Sequence, residues 1–134
     1  MEIAHDKHLD GHSDADVLLH AVTDALLGAA GLGDIGEQFP NTDEANRGRD
    51  SADMLRLAWA LVRKSGWGLV NLDCVVHAQR PKLSSHKAAI RARIAAILEV
   101  DPEQIGLKGK TGESVGPVGR EEAMMAECVA LLIK

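Results

Sequence analysis

One predicted helix near the N-terminus constrains the fold and chemistry of this chain more than any other segment. Between Val17 and Leu27 the sequence is almost wholly apolar, yet Asp16, His20 and Asp24 recur around it at intervals of four residues. Residues four apart are neighbours on one face of an α-helix. The three polar side chains therefore form a stripe, which is costly to bury unless something pairs with it. A metal ion is one such partner.

Each member of this stripe also has an ordinary explanation. A single histidine on a helix is more often hydrogen-bonded or solvent-facing than bound to a metal. Asp16 suits the helix dipole near the start of a helix, and Ser13 is expected as its N-cap, with Asp16 three residues on. The conjunction of these residues, rather than any one of them, indicates a site.

Length, charge and cysteine content restrict the class of protein. With 134 residues, the chain is expected to form a single domain, 1–134, with a substantial core. A net charge of −5 disfavours nucleic acid and anionic membranes as partners. No apolar run reaches the roughly 18 residues typical of a membrane span, and no signal peptide is recognisable, so a cytoplasmic location is expected. Cys74 and Cys128 lie in apolar runs without CxxC spacing and are expected to be buried free thiols.

Helical and strand patterns alternate along the chain, which predicts an α/β or α+β fold. Helices are predicted at about Ser13 to Ala30, from Asp50 or Ser51 to Lys64, and from Ser84 or Ser85 through Leu98, with strands at Glu2 to His5, Val70 to Val76 and Ile105 to Lys108. Asp101 followed by Pro102 predicts a short capped turn. For Glu121 to Ile133, propensity favours a helix and alternation favours a strand, so both stay open.

Three further segments suit ligand binding, although each is also compatible with a simple connection. The glycine-spaced loop from Lys108 to Gly116 offers backbone amides and lysines to phosphate, and a carboxylate to a hard cation. It lacks Walker A spacing. The segment from Ala78 to Leu83 follows a predicted strand, a common position for a ligand loop, and Gly33 to Gly36 could merely end the first helix.

Taken in order, these segments resemble one known family. The chain carries, in this order, HSDADVLLHAVTDALLGAAGLGDIG, FPNTD, AQRPKL, KGKTGE and a later GR. In this order the segments resemble those of the 2-C-methyl-D-erythritol 2,4-cyclodiphosphate synthases, the cyclising lyases of the non-mevalonate isoprenoid pathway. The resemblance covers essentially the whole chain. It implies a mixed sheet with helices packed on one face, assembling as a homotrimer with active sites between subunits. It also implies a small-molecule cytidine diphosphate substrate, 4-diphosphocytidyl-2-C-methyl-D-erythritol 2-phosphate, which closes to the 2,4-cyclodiphosphate and releases CMP.

The resemblance also implies catalytic and metal-binding residues. His12 and Thr111 match positions that stabilise the transition state. His20 matches a zinc ligand, whose imidazole Asp24 would orient from the next turn. Glu113 matches the carboxylate that holds magnesium or manganese.

The other matched positions are implied to contact substrate. Ser13 lies beside His12, the erythritol-binding turn is Asp34, Ile35 and Gly36, and a mobile loop comprises Phe39, Pro40, Asn41, Thr42 and Asp43. Cytidine and its phosphates are expected to meet Ala78, Gln79, Arg80, Pro81, Lys82, Leu83 and Ser84, together with Lys110, Thr111, Gly112 and Glu113. Pro117 stands where an aromatic residue is common, and Arg120 is expected near the three-fold axis.

The N-terminus departs from the family pattern. The family opens with a strand whose Asp-x-His pair supplies two zinc ligands, and this strand is expected to be missing here. Asp6 and His8 offer such a pair, but too close to His12 for the usual hairpin. The missing strand leaves open an N-terminally truncated, non-catalytic trimeric ligand-binding relative. A metal-binding α/β domain unrelated to the family is a third hypothesis, and the length and specificity of the resemblance speak against it. For a plant or algal sequence, the plastid stroma is the expected location.

Overall fold

Helices and strands alternate in the structure, a computed structural model that describes residues 11–40, 50–77, 86–110, 116–119 and 125–134, with backbone alone for 11–16 and 119. Within these ranges the elements are α1 (Gly11–Ala29), α2 (Ile35–Gln38), α3 (Ser51–Lys64), β1 (Gly68–His77), α4 (Lys87–Leu98), a 3-10 turn (Pro102–Gln104), β2 (Ile105–Lys110), α5 (Gly116–Gly119) and β3 (Met125–Ile133).

The three described strands form one mixed sheet in the order β2-β1-β3. β1 runs parallel to β2, with Leu72 opposite Ile105, and antiparallel to β3, with Cys74 opposite Cys128. Parallel neighbours need a crossover connection, and α4 lies in the chain between β1 and β2. The predicted mixed α/β architecture is confirmed.

The described helices that pack on the sheet cover one face of it. α1 packs on β3, α4 packs on β2, and α3 packs against both helices. Leu26, Leu72 and Ile94 are fully buried where these layers meet. The opposite face carries exposed apolar side chains, among them Val129, which is 73% exposed.

Most predicted elements are found, with differences at their ends. α3 begins at Ser51 because the Asp50 carboxylate caps it, accepting from the Ala52 N–H at 3.3 Å. The prediction that Ser13 is the N-cap of the first helix is wrong, since α1 begins at Gly11. The described part of α4 starts at Lys87. The single-turn helices α2 and α5 were not predicted, and the predicted strand Glu2 to His5 lies outside the described residues.

The strand alternative holds for the end of the chain. β3 pairs with β1 from Met125 to Ile133. Ala126, Cys128, Ala130 and Leu132 are half-buried against the core, while the residues that alternate with them are exposed. Pairing satisfies the backbone, and burial of every second side chain outweighs helix propensity.

Both cysteines are free thiols, as predicted. Cys74 is buried, whereas Cys128 is only half-buried, and the two lie opposite each other on β1 and β3. A hydrogen bond with the Cys74 thiol, reinforced by burial, raises the pKa of Cys128 far above its ordinary value. The Cys128 thiol therefore remains protonated near neutrality. Among the described helices, none has the length and apolar character needed to cross a bilayer.

Candidate active site

Helix α1 presents His20 and Asp24 on the side away from the core. Leu19, Thr23 and Leu26 are buried in the core, whereas His20 and Asp24 are exposed. The two polar side chains share one face, as their spacing predicts. They are consequently available to a ligand without a charge being buried.

The imidazole of His20 is hydrogen-bonded to the first residue of α3. Its Nε2 lies 2.9 Å from Oγ of Ser51, a hydrogen-bond distance. Ser51 is only 5% exposed and is the first residue of the helix that Asp50 caps. One ring nitrogen of His20 thus has a partner, and Nδ1 is the other.

The Asp24 carboxylate holds the turn after α1. The backbone N–H of Ile35 donates to its Oδ1 at 2.7 Å, across eleven residues. The expectation that Asp24 orients the imidazole of His20 is not what the structure shows, because the ring shares its hydrogen bond with Ser51 and the Asp24 carboxylate accepts from Ile35. Asp24 instead fixes the position of Ile35, since α2 offers its unpaired N-terminal amides to acceptors.

The segment from Gly33 to Phe39 is ordered by its own short-range hydrogen bonds. Gly33 has φ of +90°, a conformation that favours glycine. Asp34 caps α2, since its Oδ1 accepts from the N–H of Glu37 at 2.8 Å. Gln38 donates through Nε2 to the carbonyl of Leu32 at 2.7 Å. These contacts place Asp34, Ile35 and Gly36 in a defined turn beside α1.

A small cavity of about 210 Å³ lies where α1, α2 and α3 meet. It is lined by His20, Ile35, Gly36, Phe39 and Met54. Four of these five residues were singled out from the sequence for zinc or substrate binding. The structure therefore brings the predicted metal ligand and the predicted erythritol-binding turn to one cavity.

Two residues beside this cavity were missed by sequence reasoning. Ser51 and Met54 both lie on the first turn of α3. Asp50 and Ser51 were recognised as a helix start, but nothing in the sequence links Ser51 to His20, 31 residues earlier. The only available signal was their three-residue spacing, which puts Ser51 and Met54 on one side of α3.

Other predicted site residues lie elsewhere in the fold. Lys110 is exposed at the end of β2, opposite His77. Pro117 is exposed on α5, and Pro40 is exposed just after α2. His12 and Ser13 have described backbone in the first turn of α1, but not side chains. The following predicted residues lie outside the described ranges: Asn41, Thr42, Asp43, Ala78, Gln79, Arg80, Pro81, Lys82, Leu83, Ser84, Thr111, Gly112, Glu113 and Arg120.

The described residues do not by themselves make up a zinc site. Zinc usually takes three or four protein ligands, and the described part of the chain contains no group of three or more candidate ligand side chains. His20 is exposed and has Nδ1 as its second ring nitrogen, so it suits the role of a single ligand. Asp6, His8 and Glu113 lie outside the described ranges.

Comparisons with known proteins give one consistent result. The model of the YgbB family matches residues 1–133. The 2-C-methyl-D-erythritol 2,4-cyclodiphosphate synthase of Bordetella bronchiseptica is 56% identical over 132 residues, covering 98% of this chain and 82% of that protein. The synthase of Synechococcus elongatus strain PCC 7942 is 53% identical over 134 residues, covering 100% of this chain and 84% of that protein.

A solved structure agrees in fold as well as in sequence. The IspF of Plasmodium falciparum, in a complex with CDP, superposes with a TM-score of 0.79 at 37% identity, covering 95% of this chain and 74% of that one. The match to the family model spans nearly the whole chain, and the relatives exceed half identity over that same length. The chain therefore belongs to the YgbB family, the family of the 2-C-methyl-D-erythritol 2,4-cyclodiphosphate synthases.

Proposed function

We propose that this chain converts 4-diphosphocytidyl-2-C-methyl-D-erythritol 2-phosphate to 2-C-methyl-D-erythritol 2,4-cyclodiphosphate and releases CMP. The 2-phosphate oxygen forms a bond to the β-phosphorus, and the bond from that phosphorus to the CMP oxygen breaks. The observation that carries this proposal is the cavity shared by His20 and the turn of Ile35 and Gly36. Relatives above 50% identity that bear this activity in their names support it over the non-catalytic alternative.

The cavity is the right size for one part of such a substrate. Sites for drug-sized ligands are typically about 300–1,000 Å³, so a cavity of about 210 Å³ suits the methylerythritol portion rather than the whole molecule. Apolar Ile35, Phe39 and Met54 form part of its wall. Asp34 lies beside them, and because a carboxylate accepts hydrogen bonds on both oxygens, its Oδ2 can accept one from a substrate hydroxyl.

The chain's own contribution to this reaction is positioning. An intramolecular cyclisation needs the attacking oxygen and the phosphorus held in line, and ordering both ends of a flexible polyol lowers the entropic part of the barrier. The α2 turn is fixed by Asp24 and by Asp34 at its cap, so it can hold the polyol in one conformation. His12 and Thr111 are proposed to stabilise the developing charge.

Metal dependence is a general property of this family. We propose zinc at the His20 site and magnesium or manganese at the Glu113 site, where a divalent cation would neutralise and polarise phosphate oxygens. For zinc, the exposed imidazole of His20 supports the assignment. The remaining zinc ligands are proposed to come from residues outside the described ranges, with Asp6 and His8 as candidates.

A homotrimer with sites between subunits would unite the separated site residues. α1 packs on β3 at one edge of the described sheet, while Lys110 ends β2 at the other edge. The cytidine-binding residues of one chain would therefore serve the cavity of another. The uncovered sheet face supports assembly, since apolar surface of this kind marks an interface; its exposed members are Val70, Met125, Val129, Leu131 and Ile133.

The deciding experiment measures CMP release from the diphosphocytidyl substrate together with zinc per subunit. We expect His20→Ala to lose zinc and turnover, and Glu113→Ala to weaken the response to magnesium. His86→Ala is the matched control, because His86 lies at the N-cap before α4 without a side-chain capping bond and does not line the cavity. Binding of CDP without CMP release by the unaltered chain would instead indicate the non-catalytic relative. Full metal dependence in both variants would refute the residue assignments.

Solution mass and location complete the proposal. Light scattering should give three times the mass of one chain, and Val129→Glu should lower it by placing a charge on the uncovered face. A monomer for the unaltered chain would refute the trimer. We also propose a cytoplasmic location, which the bacterial relatives support and which fractionation of cells expressing the native gene would test.

A further inference from the structure

We propose that Ser51 is a positioning residue for His20, accepting a hydrogen bond from Nε2–H so that Nδ1, with its lone pair, is the nitrogen offered to the ligand. This inference rests on the proposed function only in giving His20 a ligand-binding role. It concerns a residue of α3 that neither the sequence motifs nor the family resemblance marks.

Ser51 is much more deeply buried than the ring that its hydroxyl contacts. Ser51 is 5% exposed, and its neighbours Ala52 and Leu55 are buried in the core. The Asp50 carboxylate caps the same turn. His20, by contrast, is exposed on the outer side of α1. A fixed polar atom 2.9 Å from Nε2 therefore limits rotation of the imidazole that the exposed position would otherwise permit.

The contact also selects between the two neutral forms of the ring. A neutral imidazole carries one N–H and one acceptor nitrogen, and the partner of one nitrogen determines the state of the other. If Nε2–H donates to Ser51 Oγ, then Nδ1 is the acceptor and can bind a cation. If the hydroxyl donates instead, Nδ1–H can bind only an acceptor. The proposed ligand role of His20 requires the first arrangement.

Partners of this kind affect ligand binding measurably. Mutation of a residue that hydrogen-bonds the second nitrogen of a metal-binding histidine typically lowers metal affinity by about 10–100-fold. We expect a reduction in that range for Ser51→Ala, with a fall in kcat and little change in KM, because Ser51 does not line the cavity. Ser51→Thr keeps the hydroxyl and should restore most of the affinity.

The first experiment is ¹⁵N NMR of the histidine rings in the chain as purified and after chelator treatment. Without metal, we expect the His20 ring of the unaltered chain to be in the Nε2–H form and that of Ser51→Ala to be a mixture of both neutral forms. The signal of His20 is identified by its absence in His20→Ala. Zinc titration of both proteins then gives the affinity ratio. Ser65→Ala is the matched control, since it removes a serine hydroxyl from the far end of the same helix.

The outcomes separate this inference from the proposed function. An Nδ1–H form in the metal-free, unaltered chain would overturn the role of Ser51 without any variant having to fold. Unchanged tautomer and zinc affinity in Ser51→Ala would also overturn it. Absence of CMP release from the unaltered chain would count against the proposed function, while the tautomer measurement would still decide the role of Ser51.

Discussion

Removing the Asp24 carboxylate tests whether a single side chain holds the α2 wall of the cavity. α2 has four residues, far fewer than the roughly 12 that an isolated helix needs to be even marginally stable. It therefore depends on its ties to the rest of the fold. One such contact joins it to α1: the backbone N–H of Ile35 donates to Asp24 Oδ1 at 2.7 Å.

The expected magnitude follows from the type of bond and its exposure. Hydrogen bonds to charged groups contribute about 1.5–3 kcal/mol, and the exposed position of Asp24 favours the lower end because water can replace the lost acceptor. After this discount for exposure, a loss of about 1–1.4 kcal/mol in Asp24→Ala would raise the population of the open turn by about 5–10-fold. Asp24→Asn keeps an acceptor oxygen and should show a smaller effect.

Native-state hydrogen exchange measures this population directly. The amides of Gln38 and Phe39 donate to Asp34 and Ile35 at 3.1 and 2.8 Å, so their protection should fall about 5–10-fold in Asp24→Ala. The KM should rise by no more than that factor, because the turn stays largely closed. Unchanged protection of both amides would refute the role assigned to Asp24, and an equal loss of protection in core strands would show a global effect instead.

Three further predictions concern parts of the fold away from the cavity. Glu99 ends α4 with φ of +56°, so Glu99→Gly should raise the free energy of unfolding by about 0.5–1 kcal/mol in urea titration; a decrease would contradict this. Trp59 donates through Nε1 to the Leu98 carbonyl at 2.9 Å in the core, so Trp59→Phe should lower the free energy of unfolding by about 2–3 kcal/mol. A decrease below about 0.5 kcal/mol would refute that contribution. The pKa of Cys128 is raised by the Cys74 thiol and by burial, so this thiol should remain protonated at pH 8. It should then react with iodoacetamide more slowly than free cysteine, which mass spectrometry of the native protein can test. Alkylation at the rate of free cysteine would contradict this prediction.

The α3 helix illustrates what local sequence can determine. Asp50 caps it, and apolar residues at helical spacing face the core, among them Leu55, Ala58 and Val62. Its predicted limits agree with the structure because both the cap and the periodicity are encoded within one short segment. The same is true of the 3-10 turn that Asp101 caps before Pro102.

The segment from Met125 to Ile133 shows the opposite case. Its composition favours a helix, and its alternation favours a strand, so the segment alone does not decide. β1, about 50 residues earlier, decides it by supplying hydrogen-bonding partners, and α1 covers one face of the resulting strand. Tertiary context overrides propensity here, as it commonly does for strands.

For the candidate site, the sequence by itself determined that His20 and Asp24 share a helix face, and its motifs indicated the family and the turn of Asp34 to Gly36. Only the tertiary structure decided which partners those side chains have: Ser51 for His20, and Ile35 for Asp24. The helix repeat fixes neighbours within four residues, whereas contacts across 31 and 11 residues depend on how α1, α2 and α3 pack. That packing is set by burial of apolar side chains, which leaves no local pattern at the polar residues it brings together.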